Sequence, residues 1–343
     1  MLTVFSVRFF AVLKLVLVCL AGVWLARSGV LHGDFRRSLS QMILRLMLPC
    51  LLLSKLSASV NPANLARWLV LPVSALLFVG LGFVVGALVI HIVRPPERLH
   101  RVVMAATAFG NSGYIPYPLV AAIAASAPIF AADPTANQRG IAYVSLYLVC
   151  MSPCLWAIGF PYLAHKPWRE LRWNQILSPP ILSAAAGITI GMVPVLRDLL
   201  VPAEAPLRVV LATADLIGDG VIPCSLLVLG ANLAETPQGQ APLPIRVHLG
   251  VTWGRLVLMP LLGCIYVLAV VRLGVVPKDD PMLLLVLMLE AAVPSATNLI
   301  VMCQVHERGD ETAMSRVLVF NYVAAVLTLT VFVALFLWLI ASL

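Results

Sequence analysis

Charge is what this sequence has least of. Only 11% of its 343 residues are Asp, Glu, Lys or Arg, and 61% are hydrophobic. A soluble domain with that balance would aggregate, and a mean hydropathy of +1.00 belongs to a polytopic helical membrane protein. A massed basic patch is missing too. The net charge of +8 comes from Lys and Arg scattered over short connections, which argues against a nucleic-acid partner. No polar stretch is long enough to fold as a separate soluble domain. The seven cysteines (Cys19, Cys50, Cys150, Cys154, Cys224, Cys264 and Cys303) all lie in apolar runs. Their odd number and placement give no disulfide framework, and no His/Cys spacing suits zinc, so neither metal nor cofactor is expected. The first apolar run is too long for a signal peptide and lacks a small-residue cleavage pattern, so it reads as a spanning helix.

What the chain does have is apolar runs long enough to cross a bilayer, which takes about 20 residues each. They fall near Val4–Ala26, Arg37–Leu56, Leu65–Val93, Leu99–Ala124, Gly140–Leu163, Gln175–Val195, Leu207–Leu233, Val247–Val271, Met282–Cys303 and Ser315–Ile340. Between them stand turn signals such as Ser28-Gly29, Asn61-Pro62, Pro95-Pro96 and Asp133-Pro134. Basic residues favour the cytoplasmic side. In the first half Arg27, Arg36, Arg37, Arg94, Arg98, Arg101, Lys166, Arg169 and Arg172 fall on one side, against Lys55, Arg67 and Arg139 on the other. Both termini are therefore expected outside, in a plasma or inner membrane.

Two of these runs cannot be continuous helices. Phe109–Leu119 reads FGNSGYIPYPL, and Glu290–Asn298 reads EAAVPSATN. Pro116 and Pro294 each remove a backbone donor and clash with the preceding turn, while Gly110 and Gly113 ease unwinding. In hydrocarbon the freed backbone groups must be satisfied inside the protein or by a watery cavity. Paired interruptions in the two halves of a membrane protein point to a transport site.

The halves also echo each other. Leu48-Pro49-Cys50-Leu51-Leu52 in the second run matches Ile222-Pro223-Cys224-Ser225-Leu226 in the seventh, and the breaks fall in the fourth and ninth. An odd number of spans reverses orientation between copies. The expected fold is therefore all-α, ten transmembrane helices as a five-plus-five inverted repeat, with residues 1–171 as the first copy and 172–343 as the second.

These motifs carry a resemblance over nearly the whole chain. Leu48 to Leu52, Gly110-Asn111-Ser112-Gly113-Tyr114 with Pro116 and Pro118, Ser178-Pro179-Pro180-Ile181, Pro223 with Leu229-Gly230-Ala231-Asn232-Leu233, and Pro294-Ser295-Ala296-Thr297-Asn298 occur in an order that resembles the auxin efflux carrier superfamily: the plant PIN and PIN-LIKES carriers and their bacterial relatives. The resemblance implies a scaffold of helices one, two, six and seven that can form a homodimer. It implies a transport domain of helices three to five and eight to ten, in which helices four and nine cross at their breaks. The long central loop of the plant PIN carriers is absent.

The candidate site follows from the breaks. Asn111, Ser112, Gly113, Tyr114, Pro116, Pro294, Ser295 and Asn298 would bind substrate at the crossing, where half-helix N-termini present positive dipole ends to an anion. Ser54 and Asn232, from helices two and seven, would face it. The bland alternative is a proline kink with small packing residues. Glu290, deep in an apolar run, could take up a proton or help bind sodium with Asn111 and freed carbonyls; alternatively it pairs with Arg255 or caps a half-helix. Asp215 and Asp219 share one helical face and form either a second coupling site or an ion pair, with Lys14 as the expected counter-ion. Gly218-Asp219-Gly220 lacks the preceding glycine of an aspartyl intramembrane protease, since position 216 is Leu, and an enzyme is not expected. The function expected is secondary transport of a small organic anion, an auxin-like or other carboxylate, by alternating access of an elevator kind. The alternative is a sodium- or proton-coupled carrier of the bile-acid or cation/proton antiporter type. A channel would not need paired breaks, and a receptor would normally carry a soluble signalling part.

Overall fold

The computed structural model describes residues 17–164, 178–234, 243–304 and 310–343. These residues are helical, with no named strand among them. We number the helices α1 (Leu17–Arg27), α2 (Gly33–Ser59), α3 (Pro62–Val93), α4 (His100–Ala108), α5 (Pro116–Ser126), α6 (Ala136–Leu163), α7 (Pro179–Met192), α8 (Pro194–Leu200), α9 (Arg208–Asn232), α10 (Ile245–Arg272), α11 (Pro281–Ala292), α12 (Asn298–Gln304) and α13 (Glu311–Ser342). Six of them, α2, α3, α6, α9, α10 and α13, are long and apolar enough to cross a membrane. α7 and α8 form a further pair bent by 101°.

The ends of these helices follow from their sequences. Asn61 caps α3 by accepting from the Ala63 and Asn64 amides, while the Asn64 side chain accepts from the Asn61 amide. α3 stops where Arg94 takes a left-handed conformation (φ 48°) ahead of Pro95 and Pro96. Pro194 turns the expected single sixth run into two helices: Val193 before it is extended, and the chain leaves in a new direction. The first expected run is described only from residue 17 onward.

Inside the long helices, proline acts differently. Three π turns, Ile43–Met47, Leu155–Gly159 and Gly254–Leu258, each end two residues before a proline: Pro49, Pro161 and Pro260. In each the residue just before the proline donates five residues back: Leu48 to Ile43, Phe160 to Leu155 and Met259 to Gly254. A proline ring clashes with the carbonyl four residues earlier. Widening the preceding turn relieves that clash without ending the helix.

The chain divides into two compact units, residues 1–72, 113–149 and 177–235, and residues 73–112, 150–176 and 236–343. In the first unit α2 is flanked by α7 and α9. The approach is close because small residues face it: a side chain at Gly191 would strike the Val60 carbonyl, and one at Gly218 would lie 2.7 Å from the Leu51 Cα. In the second unit α10 packs on α11 and α13. Gly82 of α3 meets the Ala108 backbone of α4.

Candidate functional site

Both interrupted runs are broken as their sequences require, and the breaks meet within the second unit. α4 ends at Ala108 and Phe109 is extended; α11 ends at Ala292 and Val293 is extended. The two extended pieces pair antiparallel, with a bridge between Gly110 and Ser295. The Asn111 amide donates to the Pro294 carbonyl at 2.7 Å, and the Ala296 amide donates to the Phe109 carbonyl at 2.9 Å. Each break therefore satisfies part of the backbone that the other frees, as an apolar surround demands.

Side chains satisfy much of the rest. Ser295 donates its hydroxyl to the Ala106 carbonyl (2.5 Å), and its amide donates to Asn321 Oδ1 (3.0 Å). Tyr322 Oη donates to the Ser295 carbonyl (3.0 Å) and accepts from Asn111 Nδ2 (2.5 Å). Arg255, which lies within the π turn of α10, is 3% exposed. Its Nε donates to the Val293 carbonyl at 2.7 Å, Nη2 to the Glu290 carbonyl at 3.3 Å and Nη1 to the Thr107 carbonyl at 3.4 Å. The C-terminal ends of α4 and α11, each a partial negative charge, thus converge on one guanidinium. Gly110 leaves the room: a Cβ there would collide with Arg255 Nη2 and lie 2.9 Å from Val293 Cγ2.

Glu290 is 1% exposed and faces this frame. The guanidinium expected beside it is there: Arg255 acts on the Glu290 carboxyl by charge while donating to the Glu290 backbone carbonyl. Three of its five N–H donors go to freed carbonyls. The Ser112 hydroxyl lies beside the Glu290 carboxyl within reach of a hydrogen bond, though not in ordinary hydrogen-bond geometry, and the Arg255 guanidinium acts on the same carboxyl by charge. Asn321 Nδ2 is a buried group without a hydrogen-bond partner.

The other expected residues separate into groups. Asn111, Ser112, Pro294 and Ser295 lie together at the crossing and are buried, and Asn298 opens α12, half-buried. Gly113 and Tyr114 are half-buried residues of the turn that leads to α5, and Pro116 is buried at its first position. In the first unit Ser54 donates to Asp215 Oδ1 at 3.0 Å. Lys55 reaches the same oxygen at 2.5 Å and Asp219 Oδ1 at 3.8 Å. Lys55 is thus a counter-ion of this pair among the described residues; Lys14, the expected one, lies outside them. Asn232 is half-buried on α9.

Sequence reasoning missed Asn321 and Tyr322 of α13, which bond to the paired breaks from a third helix. Their signal was present: an Asn-Tyr pair inside the last apolar run of the chain. Arg255 was expected beside Glu290 and is there, but its hydrogen bonds to backbone carbonyls were not foreseen.

Residues 7–172 and 163–333 match the family described as membrane transport protein. The chain is 28% identical to the protein PIN-LIKES 5 of Arabidopsis thaliana, an alignment covering 96% of each. It is 27% identical to PIN-LIKES 3 of the same plant, again over 96% of each. An uncharacterized transporter of Saccharomyces cerevisiae is 24% identical, with 94% of this chain and 92% of that protein covered. With apolar helices of spanning length and two broken segments bonded to each other, this chain is a multi-pass membrane transporter of the membrane transport protein family, the auxin efflux carrier superfamily to which the PIN-LIKES proteins belong.

Proposed function

We propose that the chain is a secondary transporter that moves a small organic anion, an auxin-like or other carboxylate, by alternating access. The observation that carries this reading is the crossing itself. Two broken helices meet in extended conformation, their backbone is satisfied by each other and by buried side chains, and polar groups remain there without ordinary hydrogen bonds. A structural kink needs no such leftover polarity. Asn111, Ser112, Gly113, Tyr114, Pro116, Pro294, Ser295 and Asn298 are the proposed substrate residues, with Ser54 and Asn232 on the scaffold. Asn321 joins them through its unpartnered amide nitrogen.

The proposed frame is ten spans in a five-plus-five inverted repeat over residues 1–171 and 172–343. α4 with α5 and α11 with α12 would be the two broken spans. In support, each compact unit draws segments from both halves of the chain, and α1, α2, α7, α8 and α9 fall in one unit, which also holds the start of α3, α5 and the first part of α6. Those five helices are the proposed scaffold, through which a homodimer would form. The remaining spans would carry the crossing in an elevator-type movement.

The coupled alternative is favoured by one specific observation, the deeply buried Glu290 carboxyl with the Ser112 hydroxyl and the Arg255 guanidinium beside it. Charge at mid-membrane costs roughly 2.5–3.5 kcal/mol on insertion scales, so a carboxyl buried there is a place for a proton to ride. The Asp215 and Asp219 carboxylates serve as an ion pair with Lys55, which leaves Glu290 as the better coupling candidate. The deciding experiment is uptake by purified protein in liposomes over a panel of carboxylates, with and without sodium or a pH gradient. Saturable uptake of a carboxylate supports the reading; a non-saturating ion current in its place would indicate a channel.

A further inference from the structure

Freed carbonyls and half-helix C-termini at a membrane break are the ligands that sodium takes in carriers built on broken helices. In this chain those ligands hold a guanidinium. Arg255 donates to carbonyls at the ends of both α4 (Thr107) and α11 (Glu290 and Val293). Its seat is built by three separate features: the π turn at Gly254–Leu258, the bare Cα of Gly110, and the two broken helices. Hard cations prefer the same oxygen donors, and a guanidinium keeps its charge inside proteins. We infer that Arg255 is the resident cation of the crossing, supplying permanently what a bound sodium ion would supply transiently, so that transport by this chain is independent of sodium. The inference rests on the reading of the crossing as the transport site.

Two consequences separate this role from simple packing. The wild-type crossing has no use for a second monovalent cation. Removing the guanidinium leaves three carbonyl oxygens converging on an empty seat, which should accept a small cation from solution.

The test is cation dependence, read on the purified full-length chain as melting temperature and as uptake in liposomes. Replacing choline by sodium at constant ionic strength is expected to leave both unchanged for the wild type. Arg255→Ala is expected to melt lower, and to recover part of the loss when sodium or low-millimolar guanidinium is added at the same ionic strength. Sodium-raised melting temperature or sodium-stimulated uptake in the wild type overturns the inference. So does an Arg255→Ala chain that responds to neither cation. If Arg255→Ala does not fold, Arg255→Lys replaces it: the charge is kept, so sodium should still have no effect, and sodium stabilisation of that variant overturns the inference. Failure of the transport reading looks different. No carboxylate would then enter under any ion condition, while the melting data would still decide the role of Arg255.

Discussion

At position 110 a single methyl group would drive the Arg255 guanidinium from its seat and press on Val293. Gly110→Ala is therefore expected to destabilise the chain by about 1–3 kcal/mol, the usual cost of overpacking, and to lower uptake per folded molecule. Thermal melting and normalised liposome uptake check this; unchanged values for both would mean that the guanidinium is not held where described. Asn111 bonds to Tyr322, so Asn111→Ala is expected to cost about 0.5–1.5 kcal/mol as well as substrate binding. Asn298→Ala, on a half-buried residue at the start of α12, is expected to lose binding with little change in melting temperature. Equal losses of stability in both would favour packing over binding. A third site lies outside the spans. The Thr135 hydroxyl, then the Thr135 amide and Arg139, outweigh burial and hold the Asp133 carboxyl below the usual carboxylate range. The stability this adds is full above the unfolded value of about 3.9 and is lost as pH falls through the lower folded value. Asp133 is about a third exposed, so the contribution is small, roughly 0.2–1 kcal/mol. The melting-temperature gap between wild type and Asp133→Asn should shrink below about pH 4; a gap that stays constant with pH would contradict this. At this scale the polar residues inside apolar runs were legible, because nothing but function or a partner explains them. Which atoms they bind was not: Arg255 lies beside Glu290 as expected, but the carbonyls to which it donates are freed by breaks that exist only in the folded chain.

Helices and their interruptions depend on how proline is accommodated. Pro116 and Pro294 lie at breaks, where glycine or extended neighbours let the helix open, and Pro194 marks a sharp bend. Pro49, Pro161 and Pro260 follow π turns and leave their helices continuous. The sequence shows that a proline must disturb a helix, but packing chooses between a break and a wide turn. This explains why the broken fourth and ninth runs could be read in advance while the bend at Val193 and the π turns could not. In α10 the π turn contains Arg255 itself. Pro260→Ala restores a backbone donor and lets the turn close to ordinary α geometry, where each residue added or removed rotates the face by about 100°. That variant is expected to keep its helix content by far-UV circular dichroism while its uptake falls, as Arg255 loses alignment with the three carbonyls. Wild-type uptake in Pro260→Ala would show that the π turn has no part in placing the guanidinium.

The whole molecule was legible as a helical membrane protein because so little charge is spread over so many apolar runs. The family followed from the order of its motifs, and the match over residues 7–172 and 163–333 supports it. The partition into two compact units was not readable from local sequence, since it depends on which helices pack together across long separations. Orientation can be tested on single cysteines in a cysteine-free background. Arg98→Cys is expected to label from the cytoplasmic side and Asp133→Cys from outside; the reverse pattern would invert the proposed topology.

The proposal that the paired breaks are the transport site, with the buried Glu290 carboxyl as its coupling group, is tested most directly at Glu290 itself. Glu290→Gln removes the charge while keeping nearly the same shape. The Ser112 hydroxyl and the Arg255 guanidinium lie beside that carboxyl, so the melting temperature of the variant is measured first to establish that it folds. The direct measurement is carboxylate accumulation in liposomes under a pH gradient, normalised to folded protein, beside downhill exchange of the same substrate without a gradient. In Glu290→Gln, gradient-driven accumulation should be lost while downhill exchange survives. Accumulation at the wild-type level in the folded variant would contradict the account and remove Glu290 from the mechanism.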